Sequence, residues 1–184
     1  MIKIRIFIAI DFDKDTKSYF EDIKTKLESY CIKGRFTHLE NFHLTLQFIG
    51  ELEQHNIPRL LNSLQECILN HHTFSLTLNK LGTFKKGNSN LLWIGIKDSK
   101  NLVEVYKQLG IALKNENIIF DEKPLKPHIT LGRQVILKKE ISELIELIAV
   151  DNLVIPINNI TLMESNHVNG KLTYTPIAMF PLNH

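Results

Sequence analysis

Hydrophobic and polar positions along the chain switch repeatedly between a spacing of two and a spacing near 3.6, so strands and helices should alternate. The opening run alternates through Ile2, Ile4, Ile6, Ile8 and Ile10 and carries Lys3 and Arg5. It reads as a strand over residues 3–10, being too charged and too alternating for the apolar centre of a signal peptide. Phe20, Ile23, Leu27 and Tyr30 fall at helical spacing and predict a helix over 14–33, with Gly34 as its stop. A strand over 42–49, closed by Gly50, comes next, then a helix over 57–69 with Ile57, Leu60, Leu61, Leu64 and Ile68 on one face. Strands over 74–81 and 91–96 flank the Gly- and Asn-rich stretch 85–90, which reads as a hairpin loop.

The order then recurs. A helix over 99–114 shows Leu102, Val105, Tyr106, Leu109 and Leu113, and a strand over 128–133 is entered through Pro127. A helix over 138–150 turns Ile141, Leu144, Ile145 and Ile148 inward, and strands over 154–163 and 172–180 bracket the hairpin dipeptide Asn169-Gly170. The halves align: His43 with His128, helix 57–69 with helix 138–150, strand 74–81 with 154–163, and 91–96 with 172–180. No Pro-, Gly- or Ser-rich linker divides them, so residues 1–184 should form a single domain of two lobes. The class is α+β: two antiparallel β-sheets with flanking helices and a cleft between the lobes.

Composition narrows the setting. Hydrophobic content of 43% and charged content of 23% suit a soluble globular chain. No apolar run approaches the roughly 18–20 residues that span a bilayer, so no membrane association is expected. Cys31 and Cys67 each fall within a predicted helix, which argues against a disulfide framework or cysteine metal site and fits a reducing cytoplasm. A net charge of +2 is too small for a broad basic nucleic-acid surface, though a site gripping one phosphate needs none.

The candidate chemistry lies in a phrase written twice, His43-Leu44-Thr45-Leu46 and His128-Ile129-Thr130-Leu131. On a strand each His shares a face with its Thr, roughly 6–7 Å along, while the aliphatic residues face the core. Histidine titrates near pH 6.5 and can serve as acid or base, so two such strands facing one cleft suit proton transfer on a phosphate ester. Hydroxyls beside them can donate to the equatorial oxygens, where charge accumulates. A single His on a strand is ordinarily a surface or structural residue, and Thr is common there as a β-former; the matched repetition is what points to a site. Zinc needs three or four ligands and Thr is a poor one, so no metal is expected. His71-His72 would point apart, and His38, His55, His167 and His184 sit in expected loops or at the terminus. Strict alternation turns Arg133 away from the His128 face, but Gly132 permits a bulge that would bring it to the cleft as a phosphate ligand. Lys85 and Lys86 could attract an RNA backbone; Phe36, Phe84 and Trp93 are candidate base-stacking surfaces, with Trp93 expected in the core.

These residues carry a resemblance. The chain is similar to the two-histidine phosphoesterases, and among them to the RNA 2′,3′-cyclic phosphodiesterases, also called 2′-5′ RNA ligases. Arg5-Ile6-Phe7-Ile8-Ala9-Ile10 looks like the family's first strand, and Asn41-Phe42-His43-Leu44-Thr45-Leu46-Gln47-Phe48-Ile49-Gly50 like its first motif with flanks. Leu81-Gly82-Thr83-Phe84 with Leu92-Trp93-Ile94-Gly95-Ile96 resembles its central hairpin. Lys126-Pro127-His128-Ile129-Thr130-Leu131-Gly132-Arg133 resembles the second motif, and Leu162-Met163-Glu164-Ser165 with Gly170 and Tyr174 the closing segment. The resemblance implies a bilobal fold with a pseudo-twofold axis, and hydrolysis of RNA 2′,3′-cyclic phosphate ends to 2′-phosphates without metal or nucleotide cofactor. It implies that His43 protonates the departing 3′ oxygen, that His128 deprotonates water, and that Thr45, Thr130 and Arg133 hold the phosphate. The partner would be an RNA or oligonucleotide end, and the protein a monomer. The family's aromatic before the first motif is Phe36 here, not Trp. Reversible 2′-5′ RNA ligation and non-catalytic binding of RNA ends are the competing functions.

Overall fold

The computed structural model describes residues 2–184. Its strands are β1 (Lys3–Asp11), β2 (Cys31–Phe36), β3 (His43–Glu53), β4 (Phe74–Lys86), β5 (Ser89–Ile96), β6 (His128–Leu137), β7 (Val154–Ile157), β8 (Asn159–Val168) and β9 (Lys171–Pro181). The helices are α1 (Lys14–Glu28), α2 (Ile57–Ile68), α3 (Lys100–Asn115) and α4 (Ile141–Leu147). Local signals explain the helix starts. The Asp13 carboxylate accepts from Thr16 N–H at 2.7 Å to cap α1, the Ser99 hydroxyl accepts from Leu102 N–H to cap α3, and a proline sits in the first turn of α2, where no N–H is required.

Every strand pairing is antiparallel, and the order across the sheet is β7-β4-β5-β6-β3-β1-β8-β9, with β2 also on β6. The chain's halves are therefore interleaved. The hairpin β4–β5, from the first half, lies against β6, while β8–β9, from the second, lies against β1. The two expected sheets meet where β3 and β6 pair, with Leu44 opposite Ile129. Past that seam the same edge of β6 passes to β2, with Arg35 opposite Arg133.

One face of this sheet carries the main core. Ile6, Ile8 and Ile10 of β1, Leu44 and Leu46 of β3, and Ile129 and Leu131 of β6 are buried there with Phe20 and Leu27 of α1 and Leu60, Leu64 and Ile68 of α2. The opposite face holds a smaller apolar cluster of Phe7, Ala9 and Met163, packed with Phe48 and Tyr174. The helices cover the first face and leave the second to form the cleft.

The expected helix over 14–33 ends at Glu28, and residues 31–36 are a strand. Cys31 therefore opens β2 and is not helical, while Cys67 lies in α2 as expected; both thiols are free, with pKa values pushed up by burial. Residues 154–163 divide at Asn158 into β7 on β4 and β8 on β1, at opposite ends of the sheet. Pro156 is tolerated because β7 is an edge strand. β8 runs on to Val168, which places His167 on a strand. At its tip Asn169 and Gly170 have φ of 51° and 76°, as a type I′ hairpin turn demands.

Candidate active site

The seam between β3 and β6 fixes the site. With Leu44 opposite Ile129 and both fully buried, antiparallel register puts His43 beside Thr130 and Thr45 beside His128 on the face away from the main core. The two histidines are diagonal neighbours, a relation in which Cβ atoms lie roughly 7–8 Å apart. All four sequence-predicted side chains thus share one face of the sheet, where His43, Thr45 and Thr130 line the cavities described below and His128 lies outside their lining.

A bulge closes each phrase. Thr45 pairs with Ala9 and Gln47 with Ile8, leaving Leu46 extra; Thr130 pairs with Trp93 and Gly132 with Leu92, leaving Leu131 extra. Each extra residue reverses the alternation beyond it, so Phe48 on β3 and Arg133 on β6 return to the cleft. A Cβ at Gly132, the residue after the extra Leu131, would stand 3.0 Å from both Phe36 and Val135, so glycine lets these side chains pack against the bulge. The bulge is the device that carries Arg133 to the histidines.

Backbone carbonyls set the imidazole tautomers. His43 Nδ1–H donates to the Asn41 carbonyl at 2.7 Å, and His128 Nδ1–H donates to the Lys126 carbonyl at 2.5 Å. A carbonyl can only accept, so Nδ1 carries the hydrogen and Nε2 of each neutral ring keeps its lone pair. The Thr45 hydroxyl lies 2.9 Å from His43 Nε2 and donates to it while the ring is neutral. Two cavities, of about 530 and 500 Å3, meet at His43 and share Arg133, His167, Leu172 and Tyr174. The first also reaches Arg35, Phe36 and Thr130; the second reaches Arg5, Phe7, Thr45 and Phe48.

Residues 15–169 match the sequence profile of the 2'-5' RNA ligase superfamily. The chain belongs to this superfamily. An RNA 2',3'-cyclic phosphodiesterase of Thermotoga maritima is 33% identical over 131 residues, covering 71% of this chain and 70% of that protein. The Escherichia coli K12 protein of the same name is 26% identical over 181 residues, covering 97% and 96%. Among solved structures, E. coli LigT complexed with 3'-AMP superimposes with a TM-score of 0.82 at 23% identity, covering 100% of both chains, which makes the fold a shared one.

In this superfamily member each imidazole is walled by aromatic rings from distant strands. Phe7 stands 5.0 Å from His43, and Tyr174 meets it edge-on at the same 5.0 Å. Phe84 meets His128 edge-on at 5.2 Å, and Trp93 stands 6.4 Å away. Trp93, expected in the core, is half-buried on the cleft face, its indole lying over Gly82. Lys85 and Lys86 do not join the cleft: Lys85 lines a separate groove with Lys138 and Lys139, while Lys126 Nζ stands over the Phe84 ring. Among the described residues, no group of three or more His, Cys, Asp or Glu is placed to hold a metal ion.

The electrostatics bias both rings toward neutrality. Burial pushes His43 down to about 4; the Asn41 carbonyl and Asp11 pull it up, while Arg133 and His128 push it further down. Burial also lowers His128, opposed by the Lys126 carbonyl and reinforced by Arg133. The Tyr174 phenol is raised by burial, against the nearby charges of Arg133 and Arg5. Arg133 is thus felt by three titratable groups at once.

The sequence marked Asn41 only as a flank of the first motif and gave no sign of its contacts. This buried side chain donates to the Leu172 carbonyl at 2.9 Å and accepts from Tyr174 N–H at 3.2 Å, docking β9 on the turn before β3. Phe7 and Arg5 lie in a first strand whose alternation was legible, but their nearness to His43 and Phe48 depends on strand order. The Asn that precedes His43 by two, with a Tyr far along the chain, carries no periodicity that could have announced it.

Proposed function

We propose that the protein hydrolyses RNA 2′,3′-cyclic phosphate ends to 2′-phosphates, by paired-histidine acid–base catalysis that requires no metal, in one domain of two lobes. The observation that carries this reading is the register of the seam, which supports a shared face for the two His and two Thr, with Arg133 beyond the bulge on β6. The names of the curated relatives support the substrate class.

In this mechanism the cyclic phosphate lies between the two Nε2 atoms. His128 accepts a proton from water as the water oxygen bonds to phosphorus, opposite the 3′ oxygen. The P–O3′ bond breaks and His43, protonated at Nε2, delivers its proton to the departing oxygen. The 2′-phosphate remains. Thr45, Thr130 and Arg133 donate to the non-bridging oxygens. His43 leaves neutral and His128 charged, and exchange with solvent resets the pair.

With a pKa of about 4, roughly one His43 ring in a thousand is charged at pH 7 in the free protein. The phosphate monoanion supplies the missing partner: an opposite charge against Nε2 raises the ring's pKa. Protonated His43 no longer accepts from Thr45, which frees that hydroxyl for the phosphate. The low value at His43 also favours a second reading, in which His43 is the base and His128 the acid. A substrate with sulfur at the bridging 3′ position separates the two, because a thiolate leaves without protonation. That substrate should restore turnover to His43→Ala and not to His128→Ala; the reverse pattern would exchange the roles.

The activity itself is tested by incubating purified protein with a 2′,3′-cyclic nucleotide and EDTA. Formation of the 2′-monophosphate is expected, and no turnover would contradict the proposal.

A further inference from the structure

The floor of the first cavity holds more positive charge than one cyclic phosphate requires. Arg35 of β2 and Arg133 of β6 are direct register partners, and both line this cavity with His38 and His167. Like charges directly opposite on neighbouring strands destabilise a sheet. Neither guanidinium has a carboxylate partner among the described residues, although eight other ion pairs form there. These two exposed guanidiniums, side by side over one cavity, can receive more anionic charge than Arg133 alone. A 2′,3′-cyclic phosphate carries a single negative charge, and Arg133 at the histidines meets it.

We infer that Arg35, with Arg133, forms a second phosphate subsite that receives the diester on the 5′ side of the terminal nucleoside, so that the protein selects an RNA strand over a free cyclic mononucleotide. The inference rests on the proposed hydrolysis and adds to it a residue that grips the strand beyond the reacting phosphate. A guanidinium suits a diester, since its planar fork donates to both non-bridging oxygens. Phe36, next in the chain, lines the same cavity and offers the terminal base an aromatic face.

The test compares 2′,3′-cyclic AMP with the adenylyl dinucleotide ending in the same cyclic phosphate. Wild-type protein should open the dinucleotide with the higher kcat/KM. In Arg35→Ala the dinucleotide-to-mononucleotide ratio should fall roughly tenfold, the size of one solvent-facing charge-assisted hydrogen bond, chiefly through KM. Arg35→Lys, which keeps the charge without the fork, should fall in between. The ratio is internal to each preparation, so a loss of folded protein cancels. Equal wild-type values, or a ratio unmoved by Arg35→Ala, would overturn the second subsite and leave the hydrolysis standing. Failure of the wild type to open either substrate would overturn both.

Discussion

Trp93 reaches His128 because its register partner is Gly82, and a methyl group added there should be felt at the histidine. A Cβ on residue 82 would stand 2.2, 2.3 and 2.6 Å from three carbons of the indole. Ordinary carbon contacts begin near 3.5 Å, so the ring must shift by more than about 1 Å. Overpacking of this kind costs about 1–3 kcal/mol of stability. A misplacement of about 1 Å near reacting groups can cost on the order of a hundredfold in rate. Gly82→Ala should therefore stay folded, unfold at lower urea, and lose roughly one to two orders of magnitude in kcat on a 2′,3′-cyclic nucleotide. The control is the same substitution made in Trp93→Leu, where no indole occupies the space. There the added methyl should cost almost nothing beyond Trp93→Leu alone, a coupling that contacting residues show and distant ones do not. An equal penalty in both backgrounds would refute the argument that Gly82 acts through Trp93.

Further outcomes follow from the same geometry. His43→Ala and His128→Ala should each lose at least about a thousandfold in kcat while remaining folded by circular dichroism, since each proton-transfer group contributes roughly 10²–10⁴; a variant keeping half its rate would remove that residue from the mechanism. The kcat/KM profile should be a bell whose maximum lies on the acid side of pH 6.5, because burial lowers both free-protein histidines, and the kcat profile should sit at higher pH, because bound phosphate raises them. A flat kcat/KM between about pH 5 and 9 would contradict paired imidazoles. Stability should respond in the same window. A His43 pKa of about 4 against an unfolded value near 6.5 means the unfolded chain binds the extra proton, so stability is full above about pH 6.5 and falls by about 3 kcal/mol on acidification through 4. Urea titrations at pH 7 and pH 4.5 should show most of that fall in wild type and a smaller one in His43→Gln.

The histidine pair was legible because a two-residue period survives translation into geometry: 43 and 45 share a face of one strand, and 128 and 130 a face of another, whatever surrounds them. Arg133 was legible through Gly132, since a glycine beyond a strand motif announces a break in alternation. The strand β2 was hidden for the opposite reason. Lys33-Gly34-Arg35 has no apolar alternation, and Tyr30 happened to extend the helical face of Phe20, Ile23 and Leu27. The interleaving of the halves was equally silent, because it depends on which hairpin docks on which strand. Internal similarity paired 74–81 with 154–163 without revealing that the hairpin begun by the first docks through β5 on the second half's His strand, or that the second splits between opposite ends of the sheet. Asn41 and Tyr174 show the limit most clearly, for their roles arise from one contact across 133 residues of chain.

The most direct measurement is an NMR titration of both imidazoles, by their ring 15N shifts, with and without a bound 2′-nucleotide. Binding of the 2′-phosphate should raise the pKa of His43 and of His128 together, with Nε2 of each ring reporting the contact. A rise at one ring alone, or at neither, would mean that the two histidines do not flank a common phosphate, contrary to the paired mechanism.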